Sequence, residues 1–411
     1  MNGVLVGVVI ALAAVFVGLS VLIVANKAWR EQAAARRAAS RRRFESRVLA
    51  HAHGEGEVLL PSLAARVGRA ERAALEEIVL DHAQRVRGRS HERLTGVLEE
   101  LGSIDALVRR LESRRSWHRS DAAEKLGLSG AQRACDALIP RMRDEVPEVR
   151  LRAAKALGAL GGTSSVRELV RALDEPNRWS TIRVADILSA MGRGVVDELV
   201  AQFDTLRLPG KVAALDILAR LRPLWLVSWL EARLDDEAAD VRARTCHALG
   251  CIGDPRSARA LVRALADGAW PVRAMAAKAL GRVGRAEAVE PLARVLGDAE
   301  WWVRSNAARA LFALGPAGAG ALERTLASED RFAREQAVLM LEELGKIDER
   351  VHGLASLAVG ERDRALWFVK RLVEIGQTGR LHVLAREEPS ATLREALAGL
   401  LPEDEPVDGA A

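Results

Sequence analysis

Arginines and aromatic residues recur in this sequence at one spacing, and together they could bind anions and stack on flat rings. Arg119, Arg150, Arg242, Arg273, Arg304 and Arg334 fall 30 or 31 residues apart or at multiples of that step, with Lys211 in the same register. Trp117, Trp179, Trp302 and Phe332 precede the same point, and Trp270 and Trp301 stand one residue earlier. A guanidinium beside an aromatic ring suits phosphate and base in single-stranded nucleic acid. The same residues also have a structural use. Asp144, Asp174, Asp204, Asp235, Asp236, Asp267 and Asp298 accompany the arginines, so a charge ladder along the turns would satisfy loop carbonyls and helix N-termini. An aromatic just ahead of a helix packs back on its first turn as a hydrophobic staple. Both sets keep the repeat period, so the structural use is the expected one.

Residues for nucleophilic or metal chemistry are sparse. The three cysteines, Cys135, Cys246 and Cys251, have no paired spacing, and the chain contains no CxxC, no GxSxG and no P-loop. His51 and His53 could share a metal only with outside ligands, and no converging ligand set accompanies them. No catalytic residue, cofactor or metal is therefore expected. Cys246 and Cys251 occupy helix positions where neighbouring copies carry small apolar residues, and both are expected as core thiols.

What must position these residues is a repeat. "WPVRAMAAKALGRVG" from Trp270 returns 31 residues later as "WWVRSNAARALFALG" from Trp301. Aligned on the closing glycine, units begin at Val149, Ser180, Gly210, Val241, Val272, Val303 and Ala333, in steps of 31, 30, 31, 31, 31 and 30. Further units begin at His118 and Arg364, and a weaker one at Ser90. Such a period marks a solenoid and overrides any domain count drawn from length. Small or apolar residues at positions five, six, eight, nine and twelve (Ala276, Ala277, Ala279, Leu280 and Val283 in one copy) trace a helical stripe. A second helix follows, with Ala258, Leu261, Val262 and Leu265 on one face. Gly253 closes the first helix and Pro255 opens the second. Two helices in 31 residues cannot bury their apolar faces alone, so neighbouring units must stack.

The series Asp267, Val272, Arg273, Ala276, Ala277, Ala279, Leu280, Gly281, Val283 and Gly284 resembles the HEAT repeat, in the short form of the phycobilin lyases. The resemblance runs from Ser90 to Leu401 and implies an all-α, right-handed α-solenoid of about ten helical hairpins. It implies that the arginine–aspartate ladder is structural and that the second helix of each hairpin lines a concave side. There Arg171, Arg263, Arg294 and Arg324 form a candidate binding track, although Glu168, Glu287, Glu290 and Glu323 would also make an ordinary solvated face. Trp225 and Trp229 break the period and form a candidate aromatic groove, or fill irregular packing. Deoxyhypusine hydroxylase, built from similar repeats, carries several His-Glu dyads for iron. Here only His91-Glu92 occurs; His82, His118, His247, His352 and His382 have no glutamate after them.

Ahead of the array, Val4–Ala25 is 22 residues without a charge, long enough as a helix to cross a bilayer. Lys27, Arg30, Arg36, Arg37, Arg41, Arg42, Arg43 and Arg47 follow against Glu31 and Glu45. The positive-inside rule then places the N-terminus (1–3) outside and the array in the cytoplasm, and an uncharged start and a basic flank disfavour a cleaved signal. Thiols there would be reduced. The expected order is a transmembrane helix 4–25, a basic juxtamembrane segment 26–60 able to touch anionic lipid through residues 27–47, a helical cap 61–89, the array 90–401 and an acidic tail 402–411. The arginine-rich composition fits a bacterial inner-membrane protein. The expected function is a non-enzymatic, single-pass scaffold holding a protein partner. Companionship with envelope or glycosyltransferase machinery follows from the resemblance alone. A lyase-like enzyme or regulator and a nucleic-acid-binding solenoid are the alternatives; the net charge of +5 and a membrane tether argue against nucleic acid.

Overall fold

The computed structural model describes residues 2–54, 68–174 and 178–402, with side chains except at 2–15, 30, 33, 34, 36, 37, 40, 69, 70 and 178–180. Among the described residues every regular element is a helix. The chain divides into two compact units, residues 1–191 and 192–411. The first holds α1 (Asn2–His53), α2 (Arg69–Ala83) and the leading helices α3 (Arg89–Glu100), α4 (Ser116–Ser129), α5 (Pro147–Leu160) and α6 (Arg178–Ala190). The second holds the leading helices α7 (Leu208–Leu221), α8 (Ala239–Ile252), α9 (Trp270–Val283), α10 (Trp301–Ala313), α11 (Arg331–Glu343), α12 (Val359–Glu374) and α13 (Ala391–Ala398). Shorter helices return between them, commonly entered through one 3-10 turn, as Ala258–Ala264 is entered through Pro255–Ser257.

The alanine stripe is what lets leading helices stack. In α9 all five positions read from the sequence are buried, and in the returning helix before it Ala258, Leu261 and Leu265 are buried and Val262 half-buried. Position ten adds a closer contact. A Cβ on Gly250 of α8 would stand 2.7 Å from Cα of Ala279 in α9, and one on Gly281 would stand 2.8 Å from Cα of Ala310 in α10. Only hydrogen fits there, so each glycine brings two helices to backbone contact. At position thirteen Gly253 and Gly284 end their helices in the left-handed region, at φ 73° and 74°. In α7 that place is taken by Arg222, at φ 50° the one described non-glycine residue with positive φ.

The region before the array departs from the expected layout. The basic stretch after Ala25 continues α1 without a break to His53, and its end belongs to the first unit's core. Phe44, Val48 and Ala52, four residues apart on one stripe, are buried against α2 and α3. Arg41 donates to Asp81 at 2.7 Å, and Arg43 pairs with Glu71. The segment expected to be a basic juxtamembrane stretch is therefore structural from about Arg41 on, because its apolar residues fall at helical spacing among the arginines. Among the described residues no helix is long and apolar enough to cross a membrane. Positions 4–15 of the uncharged stretch lie outside the residues whose side chains are described. The remainder is helical, and Phe16, Val17, Leu19, Val21, Leu22, Ile23 and Val24 are between 53% and 72% exposed. The first part of the cap (61–67) and nearly all of the acidic tail (403–411) also lie outside the described residues.

Candidate functional site

Three of the recurring arginines, Arg119, Arg242 and Arg273, are held by both carboxylates and backbone carbonyls. Arg242 reaches Asp267 through Nε and Nη2 at 2.7 and 2.9 Å, and its Nη1 donates to the carbonyls of Asp236 and Glu237. Arg273 repeats this with Asp298 at 2.7 and 2.9 Å and with the carbonyls of Asp267 and Gly268. Arg119 does so with Asp144 at 2.8 and 2.7 Å in the first unit. Each aspartate also accepts from the backbone N–H two residues on, at Val146, Ala269 and Glu300. One arginine thus ties its own turn to the turn of the next repeat. The Arg242 hydrogen bonds hold the Asp267 carboxyl below its ordinary value, against burial and with help from Ala269 N–H. At Asp144 and Asp298 burial is the largest influence and pushes upward. The arginine and the backbone N–H together outweigh it, and both carboxyls sit low. With Nε, Nη1 and Nη2 each engaged, Arg119, Arg242 and Arg273 are not a free phosphate stripe.

The ladder lapses after Arg304, and again after Arg334, which keeps only the carbonyls of Ser328 and Glu329. Twenty-five residues beyond Arg304 stands Glu329 instead of aspartate, and the guanidinium lies 4.8 Å from the centre of the Phe332 ring. It keeps only its two carbonyls, of Asp298 and Ala299.

The aromatics at the start of the leading helices are not staples. α4 starts at Ser116, α9 at Trp270, α10 at Trp301 and α11 at Arg331, so Trp117, Trp270, Trp301, Trp302 and Phe332 lie inside the first turn and not ahead of the cap. They are between 41% and 59% exposed. The helices begin earlier than the alanine stripe suggests, which turns these rings outward. Trp179 lies outside the residues whose side chains are described.

The four candidate arginines of the returning helices divide. Arg171, in the first unit, is exposed and pairs with Glu168 one turn back at 2.6 Å. In the second unit Arg324 crosses to Glu290 at 2.6 Å, while Arg263 and Arg294 are exposed and have no ion-pair partner among the described residues. Further ties between returning helices were not read from the sequence. Arg350 grips Glu323 at 2.8 and 3.0 Å, and Arg380 reaches Asp348 at 2.8 Å. Their signal was available, as arginine in one copy opposite an acid about 27 or 32 residues back.

Trp225 and Trp229 do not act as a pair. Trp229 meets the buried Phe203 edge-on at 5.0 Å and carries Arg233 on its face at 4.3 Å, which makes it packing. Trp225 is 58% exposed, with Arg193 at 5.7 Å from its ring centre.

The cysteines also divide. Cys135 is buried, accepting from Ser165 at 3.2 Å, and burial pushes the Cys246 thiol up to about 12. Cys251, expected in the core, is half-buried: position eleven faces outward. Its sulfur lies 3.6 Å from Nε2 of His247 and 3.3 Å from Nη1 of Arg282. His91 sits beside Thr95 and, with Glu92, lines a cleft of about 530 Å³ in the first unit. No group of three or more His, Cys, Asp or Glu able to hold a metal occurs among the described residues.

Residues 104–190 and 260–342 match the family model of HEAT repeats. No curated relative matches the chain. Among solved structures, an engineered protein is similar at 19% identity over 72% of this chain and 97% of its own, with a TM-score of 0.34. The complex of CpcE and CpcF of phycocyanin lyase from Nostoc sp. PCC7120 is similar at 22% identity over 58% of this chain and 92% of its own, with a TM-score of 0.27. Kap121p bound to RanGTP is similar at 14% identity over 83% of this chain and 46% of its own, with a TM-score of 0.44. The chain carries HEAT repeats in those two blocks.

Proposed function

We propose that this protein is a non-catalytic scaffold, tethered to the bacterial inner membrane by Val4–Ala25 with its N-terminus outside, that holds a protein partner on a cytoplasmic, right-handed array of about ten HEAT hairpins. The observation that carries the scaffold reading is the division among its arginines. At the repeated position Arg119, Arg242 and Arg273 are locked to carbonyls and carboxylates, while Arg263 and Arg294 on the returning helices are exposed and have no ion-pair partner among the described residues. Residues shared by all copies build the frame, and binding is left to those that differ. What supports the tether is the uncharged stretch itself, apolar on every described face, and the arginines that follow it. Because α1 is unbroken, about 28 Å of helix would separate Ala25 from Phe44 and hold the array at a set distance from the bilayer. Arg41 and Arg43 are engaged within the fold, so contact with anionic headgroups would fall to the cations before them.

The test uses the full chain in its own membranes, with a photo-crosslinking residue at Arg263 or Arg294. The protein is expected to stay in the pellet after an alkaline carbonate wash and to form one discrete crosslinked product at both positions. Release by carbonate would overturn the tether. Absence of a discrete product, or turnover of a small molecule by the purified chain, would overturn the scaffold.

A further inference from the structure

One step of the array is built differently from the two before it, and it opens a groove. Position ten is glycine in α4, α5, α8 and α9, and its partner, position eight of the next leading helix, is alanine at Ala279 and Ala310. From α10 to α11 the same two places hold Phe312 and Met340. A single Cβ at Gly281 would already crowd the Ala310 backbone at 2.8 Å, so side chains of this size cannot enter such a gap. α11 accordingly packs less closely on α10 than α10 does on α9. The Arg–Asp tie that joins the α8–α9 and α9–α10 steps lapses here too, Arg304 meeting Phe332 instead. Between the two helices runs a groove of about 380 Å³.

Trp301 and Arg309 of α10 and Leu339, Met340, Glu342 and Glu343 of α11 line it. Met340 is buried, whereas Leu339 is 57% exposed, an unusual place for a leucine on an outward helix face. Glu342 and Glu343 are exposed and, like Arg309, form no salt bridge among the described residues, and Glu342 lies close enough to Arg380 to stabilise its charge. Trp301, Leu339 and Met340 give the groove an apolar lining, and Glu342 and Glu343, one turn beyond Leu339, outnumber Arg309. From Trp301 to Arg309 it spans about 12 Å, roughly two helical turns.

We infer that this groove docks a short amphipathic helix of a partner protein. One aliphatic or aromatic side chain packs on Leu339, and a lysine or arginine one turn farther meets Glu342 and Glu343. The inference rests on reading the array as protein-binding, and it names both a place and a chemistry for one partner. A groove between helices takes a third helix on its apolar stripe, and the two exposed carboxylates select the sign of the charge that follows.

The probe is a fluorescently labelled helical peptide of three turns, with leucines three and four residues apart and two lysines on the following turn. It is titrated by anisotropy against the full chain in neutral detergent, with empty micelles as the blank. Saturable binding is expected. Leu339→Lys, at an exposed position, and the pair Glu342→Lys and Glu343→Lys should each weaken it at least tenfold, with helicity unchanged by circular dichroism. Replacing the peptide's lysines with glutamates should do the same, and Arg263→Glu with Arg294→Glu should leave binding unaltered. Absence of saturable binding, equal binding of the acidic peptide, or indifference to Leu339→Lys overturns the groove. A loss confined to the Arg263→Glu and Arg294→Glu variant also overturns it, while leaving the scaffold reading in place.

Discussion

Arg273 closes two hydrogen bonds on the carboxylate of Asp298, at 2.7 and 2.9 Å, while the carbonyl of the same aspartate accepts from Arg304 of the following helix. One residue is thus held by two successive repeats. Both partners of the Arg273–Asp298 pair are less than a fifth exposed. Removing one leaves the other shielded from water without its counter-charge. Asp298→Ala should cost roughly 1–3 kcal/mol of array stability, and Arg273→Ala a similar amount. The double variant should cost less than their sum, because the second substitution removes a group already orphaned. Urea unfolding followed by circular dichroism measures all three.

The same pairs set a response to acid. The Asp144, Asp267 and Asp298 carboxyls are depressed in the folded array, so the folded state binds fewer protons than the unfolded chain as pH falls. Their stabilisation is complete above the unfolded aspartate value of about 3.9 and is lost as pH falls through the lower folded values. Asp267→Asn should be less stable than the native protein near neutrality, and the gap should close below about pH 4. Unfolding midpoints taken in steps between pH 7 and pH 3 test this.

Two glycine positions carry opposite expectations. Gly250→Ala improves helix propensity by about 1 kcal/mol, but its new methyl would stand 2.7 Å from the Ala279 backbone, which cannot swing aside. Overpacking of this kind costs about 1–3 kcal/mol, so the net effect should be destabilising. Arg222→Gly relieves a left-handed residue at the end of α7 and should raise stability by about 0.5–1 kcal/mol. Denaturant midpoints of the two variants should move in opposite directions.

The thiols should react in a fixed order. Cys251 is accessible and lies between His247 and Arg282, while Cys135 and Cys246 are buried. Iodoacetamide at neutral pH should modify Cys251 first. Cys246, with its thiol pushed up to about 12, should react only on unfolding. Peptide mass mapping over a time course reads the order directly.

Much of the frame was legible in the residues. The glycine at position ten, the alanines at five, six and eight and the acid before each unit act on the next copy through contacts that recur identically, so period alone exposes them. Arg394 shows how far the rule extends. It donates to the carbonyls of Glu388 and Pro389 as Arg273 does to those of Asp267 and Gly268, and it marks a further leading helix that pattern matching passed over. The candidate site was less legible. Whether Arg324 is free or tied to Glu290, and whether Trp229 is surface or packing, depends on which side chains another copy presents at that point, and one copy's sequence is silent on this.

The sequence by itself determined that the chain is helical, where each repeat begins and which side chains stack, because those depend on spacing and size within one short unit. Only the tertiary structure decided that the arginines after Ala25 belong partly to the fold, that the first-turn aromatics face outward and that α10 and α11 part around Phe312 and Met340. Those outcomes are set by distances between residues far apart in the chain. A step of one side chain's width is enough to turn a packed contact into an open surface.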